Sequence, residues 1–236
     1  MGKYSARFAR EAYKMVKSGS KEKRIADINK SIADTGFKAN PTKSNRDVLY
    51  LVNEDLKEVY IVSRGTDTTG SKKMKTDIRQ DLNFALGREA HDRATKKNVN
   101  RINNLVKSVP EGYKIIMAGH SLGAVSMTQA LKKKKEVRRR VSEAHTFNGA
   151  SSPFTDNKVS KAVEKDLKTK VIHHRNKYDL VSANHSNTIG KVVHYEPNET
   201  KTKHIKKIPN HLKDVFESVQ QLKNHSIDQF IDEEKK

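Results

Sequence analysis

The sequence predicts an α/β fold, a mostly parallel central sheet flanked by helices. Two observations carry that reading. Short apolar runs of strand length alternate with amphipathic helical stretches, the pattern of parallel strands joined by helical crossovers. One of those runs, Ile115-Ile116-Met117-Ala118, leads directly into Gly119-His120-Ser121-Leu122-Gly123 and then a helix-forming segment. At 236 residues the chain can bury one sizeable core. With no internal repeat and no clear linker, residues 1–236 read as a single domain in which 1–44 form an N-terminal helical segment.

Each element has its own signal. Tyr4, Phe8, Ala12, Tyr13 and Val16 recur at helical spacing, and Ile25, Ile28 and Ile32 repeat the pattern after a Ser-Gly-Ser break. The period then changes. Residues 47–52 and 59–62 read as the two strands of a hairpin around the turn Asn53-Glu54-Asp55. A polar loop follows from Gly65 to Lys75. Residues 90–107 form a long polar helix with Val99, Ile102, Leu105 and Val106 on one face. The strand 115–118 precedes a helix over 122–131. Further strands are expected at 143–148, 170–174 and 192–195, and a helix at 210–222.

Composition narrows the function classes. Only 34% of residues are hydrophobic against 32% charged, so a compact core carries a charged exterior. The net charge of +20 draws the chain toward anionic surfaces: nucleic acid, acidic lipid headgroups or acidic proteins. There is no cysteine, which excludes disulfides, thiolate metal sites and a cysteine nucleophile. The first residues lack the apolar core of a secretory signal, and Ala6 stands where a myristoylation motif wants Ser or Thr. No apolar run approaches membrane-spanning length. The expected location is cytoplasmic, or virion-associated in a chain of this composition.

The chemistry centres on G-x-S-x-G at 119–123. Between a strand and a helix, this pattern forms a turn so sharp that side chains two residues either side of the serine would clash. The serine hydroxyl is then held out at the end of the strand, and the N–H of Leu122 faces an oxyanion forming on the substrate. A serine nucleophile needs a base and a group to orient that base. Among the downstream acids, Asp156 and Asp166 read as solvated surface, and Asp214 and Asp228 fall in terminal helices. Asp179 follows a strand in the loop "RNKYDLVS", where an acid belongs. His225, in "LKNHSIDQF", is the best base, with His185 and His194 as runners-up. His120 points away from such a turn and reads as packing, and His173 and His174 lie within a strand.

Together these residues resemble the class 3, fungal-lipase-like branch of the α/β-hydrolases. The strand ending in Arg64-Gly65-Thr66 resembles that family's "FRGT" block, with Ser63 in place of Phe. "MAGHSLGA" matches the nucleophile block closely. "TFNGASSPF" resembles "TFGSPRVG" with an extra residue. "NKYDLVS" resembles the acid block, and "NHSIDQF" the histidine block. The resemblance covers residues 45–232. It implies an α/β-hydrolase fold with a short polar lid, and a serine esterase or lipase acting through an acyl-enzyme on Ser121. Asp179 and His225 would complete the triad, and Thr66 and Leu122 would supply the oxyanion hole. It requires no metal and no cofactor.

The family's lid position is occupied here by residues 67–80, which carry Lys72, Lys73, Lys75 and Arg79 with Met74 and Ile78 as apolar exceptions. That composition favours phospholipids or short acyl esters over triglyceride, with an anionic membrane surface as partner. A second basic run, "KKKKEVRRR" at 132–140, has three readings: a helix end complementing its dipole, a membrane or nuclear-targeting patch, or a nucleic-acid contact. Nothing aromatic interleaves it, so single-strand stacking is not favoured. The alternative for the whole chain is a basic membrane- or nucleic-acid-binding protein on a catalytically weak hydrolase scaffold.

Overall fold

The computed structural model describes residues 3–65, 89–149, 159–177, 179, 189–196 and 226–231, with the backbone alone for 89–94 and 229. Among them runs a seven-stranded sheet in chain order: β1 (Lys38–Ala39), β2 (Val48–Asn53), β3 (Glu58–Ser63), β4 (Lys114–His120), β5 (Val141–Phe147), β6 (Val171–Asn176) and β7 (Lys191–Tyr195). The first three strands are antiparallel, and β3 to β7 are parallel. The expected α/β architecture is therefore present.

Parallel neighbours need crossovers, and right-handed crossovers between strands laid down in chain order all leave by the same face. That face carries α3 (Glu89–Lys107), α4 (Leu122–Lys133), α5 (Lys135–Arg140) and α6 (Lys161–Lys170). Their apolar stripes, Ile102, Val106, Met127, Leu131, Val137 and Leu167, bury Ile61, Ile115, Met117 and Ala144 of the strands. The other face would be left bare. It is closed by the N-terminal helices α1 (Ser5–Glu11) and α2 (Lys21–Ser31), and by a C-terminal 3-10 turn, Ile227–Phe230. Ser20 caps α2 by accepting the Lys23 N–H at 3.2 Å, and Ser160 caps α6. Strands β2 to β4 alternate strictly: Leu49, Tyr60 and Ile116 face the chain-end side, and Val48, Val59 and Ile115 face the crossovers.

The chain-end face is aromatic. Phe8 lies 5.2 Å from Phe37 and 4.9 Å from Tyr60. Farther along, Phe147 stacks on His174 at 4.8 Å and packs on Phe230 at 5.2 Å. A hydrogen-bonded chain runs beneath these rings. The Glu143 carboxylate, held below its usual range chiefly by Lys114, accepts from His145 Nε2 at 3.2 Å. A neutral His145 then accepts at Nδ1 from His174 Nε2 at 3.0 Å, and His174 Nδ1 accepts from the Tyr195 hydroxyl at 2.9 Å. One tautomer of each ring satisfies every member. Burial pushes His145 down and His174 down to about 2, so both imidazoles are neutral at ordinary pH.

Three differences from the sequence expectations are local. β1 is two residues long and has no periodicity to read. The basic run is broken at Lys134, where α4 ends, and α5 starts anew. β5 begins at Val141, before the predicted 143, with a register shift against Ile115/Ile116. The helix expected at 210–222 lies outside the described residues. No described helix is long and apolar enough to cross a membrane.

Candidate active site

The turn from β4 into α4 has the geometry that its glycines require. Ser121 sits at φ 53° and ψ −127°, a conformation rare for a residue with a side chain. Two backbone bonds hold it there: the Ser121 N–H donates to the Phe147 carbonyl at 3.1 Å, and the Ala124 N–H to the Ser121 carbonyl at 3.0 Å. The Ser121 side chain makes no capping bond to the helix it precedes, and the residue is partly exposed. A Cβ on Gly123 would stand 2.1 Å from the Ser63 carbonyl oxygen, and one on Gly119 2.9 Å from the Ala124 nitrogen. Either contact would force β3, β4 and α4 apart. Leu122, the first residue of α4, has an N–H with no intrahelical acceptor by construction.

The chain leaving β3 passes beside the serine. A Cβ built on Gly65 would lie 2.9 Å from the Ser121 Cβ, 2.8 Å from the His120 carbonyl and 2.7 Å from the Tyr13 hydroxyl. The Tyr13 hydroxyl also bonds His120 Nδ1 at 2.7 Å. His120 is thus buried packing, as its place in the motif suggested. Arg64 reaches back to the Arg46 carbonyl at 2.9 Å and the Gly65 carbonyl at 2.5 Å, tying down the strand end. Tyr13 carried no motif; its contribution depends on how the N-terminal segment packs.

Asp179 is 1% exposed. Its N–H donates to the Asn176 carbonyl at 3.1 Å, so it sits just past the C-terminal end of β6. Ser121 lies at the same end of β4, with β5 between the two strands, a lateral separation of about 10 Å. The structure therefore puts Ser121, Leu122 and Asp179 at the C-terminal end of the parallel strands. Thr66 and His225 lie outside the described residues, as do Asp156, Asp214, His185 and the segment 67–80. The 3-10 turn that begins just after His225 is anchored on this side. Phe230 packs on Phe147, whose carbonyl holds the Ser121 N–H.

His194 is exposed on β7, and Asp166 and Asp228 are exposed. His173 is occupied with Thr146 Oγ1 at 2.7 Å and the Ile189 carbonyl at 3.0 Å. Among the described residues no His, Asp or Glu cluster could hold a metal ion. The basic run 132–140 lies at the far end of α4, about 18 Å along the helix axis from Ser121. Its arginines are engaged locally. Arg138 closes the end of α4 through the Leu131 and Lys132 carbonyls. Arg140 closes the end of α3 through the Val106, Val109 and Pro110 carbonyls, and Arg139 pairs with Glu136 at 2.8 Å.

The family model for Lipase (class 3) matches residues 69–187, half of the chain. No curated protein matches the sequence. Among solved structures, lipase II from Rhizopus niveus aligns at 16% identity and a TM-score of 0.47, covering 76% of this chain and 71% of that one. A Rhizomucor miehei lipase propeptide complex aligns at 14% identity and a TM-score of 0.42, with 76% of this chain and 60% of that one covered. A triacylglycerol lipase from Penicillium expansum aligns at 14% identity and 0.38, covering 82% and 78%.

Proposed function

The chain belongs to the class 3 lipase family of carboxylic ester hydrolases, and from that premise we propose that it hydrolyses lipid esters through an acyl-enzyme on Ser121. The observation that carries the reading is the backbone of Ser121, a strained positive-φ serine whose hydroxyl is not spent on capping α4. Strain of this kind persists only where the surroundings over-determine it.

In this reading Ser121 Oγ attacks the ester carbonyl while His225 takes its proton. The tetrahedral oxyanion is received by the N–H groups of Leu122 and Thr66. His225 passes the proton to the departing alcohol, leaving the acyl group on Ser121. A water, deprotonated by the same imidazole, attacks the acyl carbon, and the acid departs as Ser121 regains its proton. Asp179 orients the ring and stabilises its charged form. The place of Gly65 against the Ser121 Cβ supports Thr66, and the anchoring of Phe230 supports His225.

For substrate, phospholipids or short acyl esters are the better fit. The segment 67–80 is basic, and each cation near an anionic bilayer contributes about 1 kcal/mol of attraction. The test is turnover of p-nitrophenyl esters from acetate to palmitate, with and without phosphatidylserine vesicles, by wild type, Ser121→Ala, Asp179→Asn and His225→Ala. Each substitution should lower kcat about 10⁴-fold or more. A profile favouring short chains, or stimulation by the vesicles, supports the substrate class. Turnover that survives Ser121→Ala, or none on any ester, refutes the reading and favours a basic binding protein on this scaffold.

A further inference from the structure

Phe147 and Asn148 join the two ends of the candidate site. The carbonyl of Phe147 accepts the Ser121 N–H at 3.1 Å. The next residue, Asn148, is fully buried at φ 42°, a conformation that asparagine tolerates better than most side chains. Its N–H donates to the His174 carbonyl at 2.9 Å. Its side-chain Oδ1 accepts the Asn176 N–H at 2.9 Å, across 28 residues of sequence. The Asn176 carbonyl in turn accepts the Asp179 N–H at 3.1 Å. One hydrogen-bonded track thus runs from the nucleophile turn, through the end of β5, to the acid turn.

Past its end a parallel strand no longer supplies ladder partners. At Asn176, the last residue of β6, β5 has already ended, and the Asn148 side chain reaching over from the end of β5 supplies an acceptor for the Asn176 N–H. A glycine could take the backbone angle at 148 but would bring no acceptor. We infer that Asn148 is a positioning residue that sets the orientation of Asp179 relative to Ser121 by holding the Asn176 N–H; this rests on the reading of Ser121 and Asp179 as nucleophile and acid.

The test uses Asn148→Gly in the full chain, alone and combined with Asp179→Asn. Amide hydrogen exchange comes first, because it needs no activity. The Asn176 and Asp179 amides should exchange at least tenfold faster in Asn148→Gly, with the amides of Val171 to His173 unchanged. Kinetics follow. Asn148→Gly should lower kcat about 10- to 100-fold with KM within twofold. A misdirected carboxylate stabilises the imidazolium less, so the acid limb of the pH–rate profile should move to lower pH. In the Asp179→Asn background the same change should cost less than twofold, because the step it serves is already lost. Unchanged exchange at Asn176 and Asp179 overturns the inference. So does a loss that multiplies fully in the double variant, which marks a structural role only. If Ser121→Ala keeps wild-type turnover, the reading of the site fails instead, and exchange still decides whether Asn148 holds the turn.

Discussion

The two faces of the sheet are built on different principles. The crossover face is aliphatic, and its helices α3 to α6 lie in the chain between consecutive parallel strands. The chain-end face is closed by segments from opposite ends of the sequence. Its core mixes Phe8, Phe37, Tyr60, Phe147 and Phe230 with the buried pair His145 and His174. Crossover topology covers one face at no extra cost in chain and leaves the other to be recruited. The recruited face also supports the candidate site: Tyr13 of the N-terminal segment touches the serine turn, and Phe230 of the C-terminal turn packs on Phe147.

The widest separation between the faces should come from one large truncation on each. Phe230→Ala and Leu131→Ala remove fully buried side chains, and each should cost about 2–5 kcal/mol in urea denaturation. Only Phe230→Ala should also lower kcat of the protein that remains folded, because its neighbours hold Ser121 and lead on to His225. Equal kcat losses in both would erase the distinction.

Acid should separate the faces next. An unfolded histidine takes up a proton below about pH 6.5, whereas buried His174 does not until about 2. Between those values the unfolded state holds more protons, so stability falls as pH falls, by up to about 1.4 kcal/mol per pH unit for this ring. His145, also depressed, adds in the same direction. Replacing His174 by Gln should flatten the curve of urea midpoint against pH below 6.5. A curve as steep as wild type would place the acid sensitivity elsewhere.

The smallest effects belong to the rim of the crossover face. Arg140→Lys loses the forked contact with the Val106, Val109 and Pro110 carbonyls and should cost about 1 kcal/mol. Lys133→Gln and Lys135→Gln, both exposed, should stay within about 0.5 kcal/mol of wild type in the same titration. If the lysines matter more than the arginine, the basic run is more than a set of helix ends.

How much of this was legible varies with the range of the interaction involved. The elbow at 119–123 could be read from five residues because its cause is local: two glycines are needed wherever a strand turns so sharply into a helix. The helical stripe Val99-Ile102-Leu105-Val106 was legible for the same reason, as was the alternation along β2 and β3. Asp179 needed a strand to be placed before it, and its loop gave enough context. Asn148 stood in plain view inside the block "TFNGASSPF", which carries one residue more than the one it resembles. Its partner, though, is a backbone N–H 28 residues away, and no sequence window contains both. The hydrogen-bond direction along Glu143, His145, His174 and Tyr195 was equally hidden, since three strands must first be laid side by side.

The sequence by itself determined the α/β class and the serine turn, because periodicity and steric necessity act within a few residues. Only the tertiary structure decided which segments close the second face, that Arg138 and Arg140 serve helix ends, and that Asn148 ties the turn at Asp179 to the serine. Those outcomes depend on hydrogen bonds and burial between groups far apart in the chain, which exist only once the sheet has set their distance.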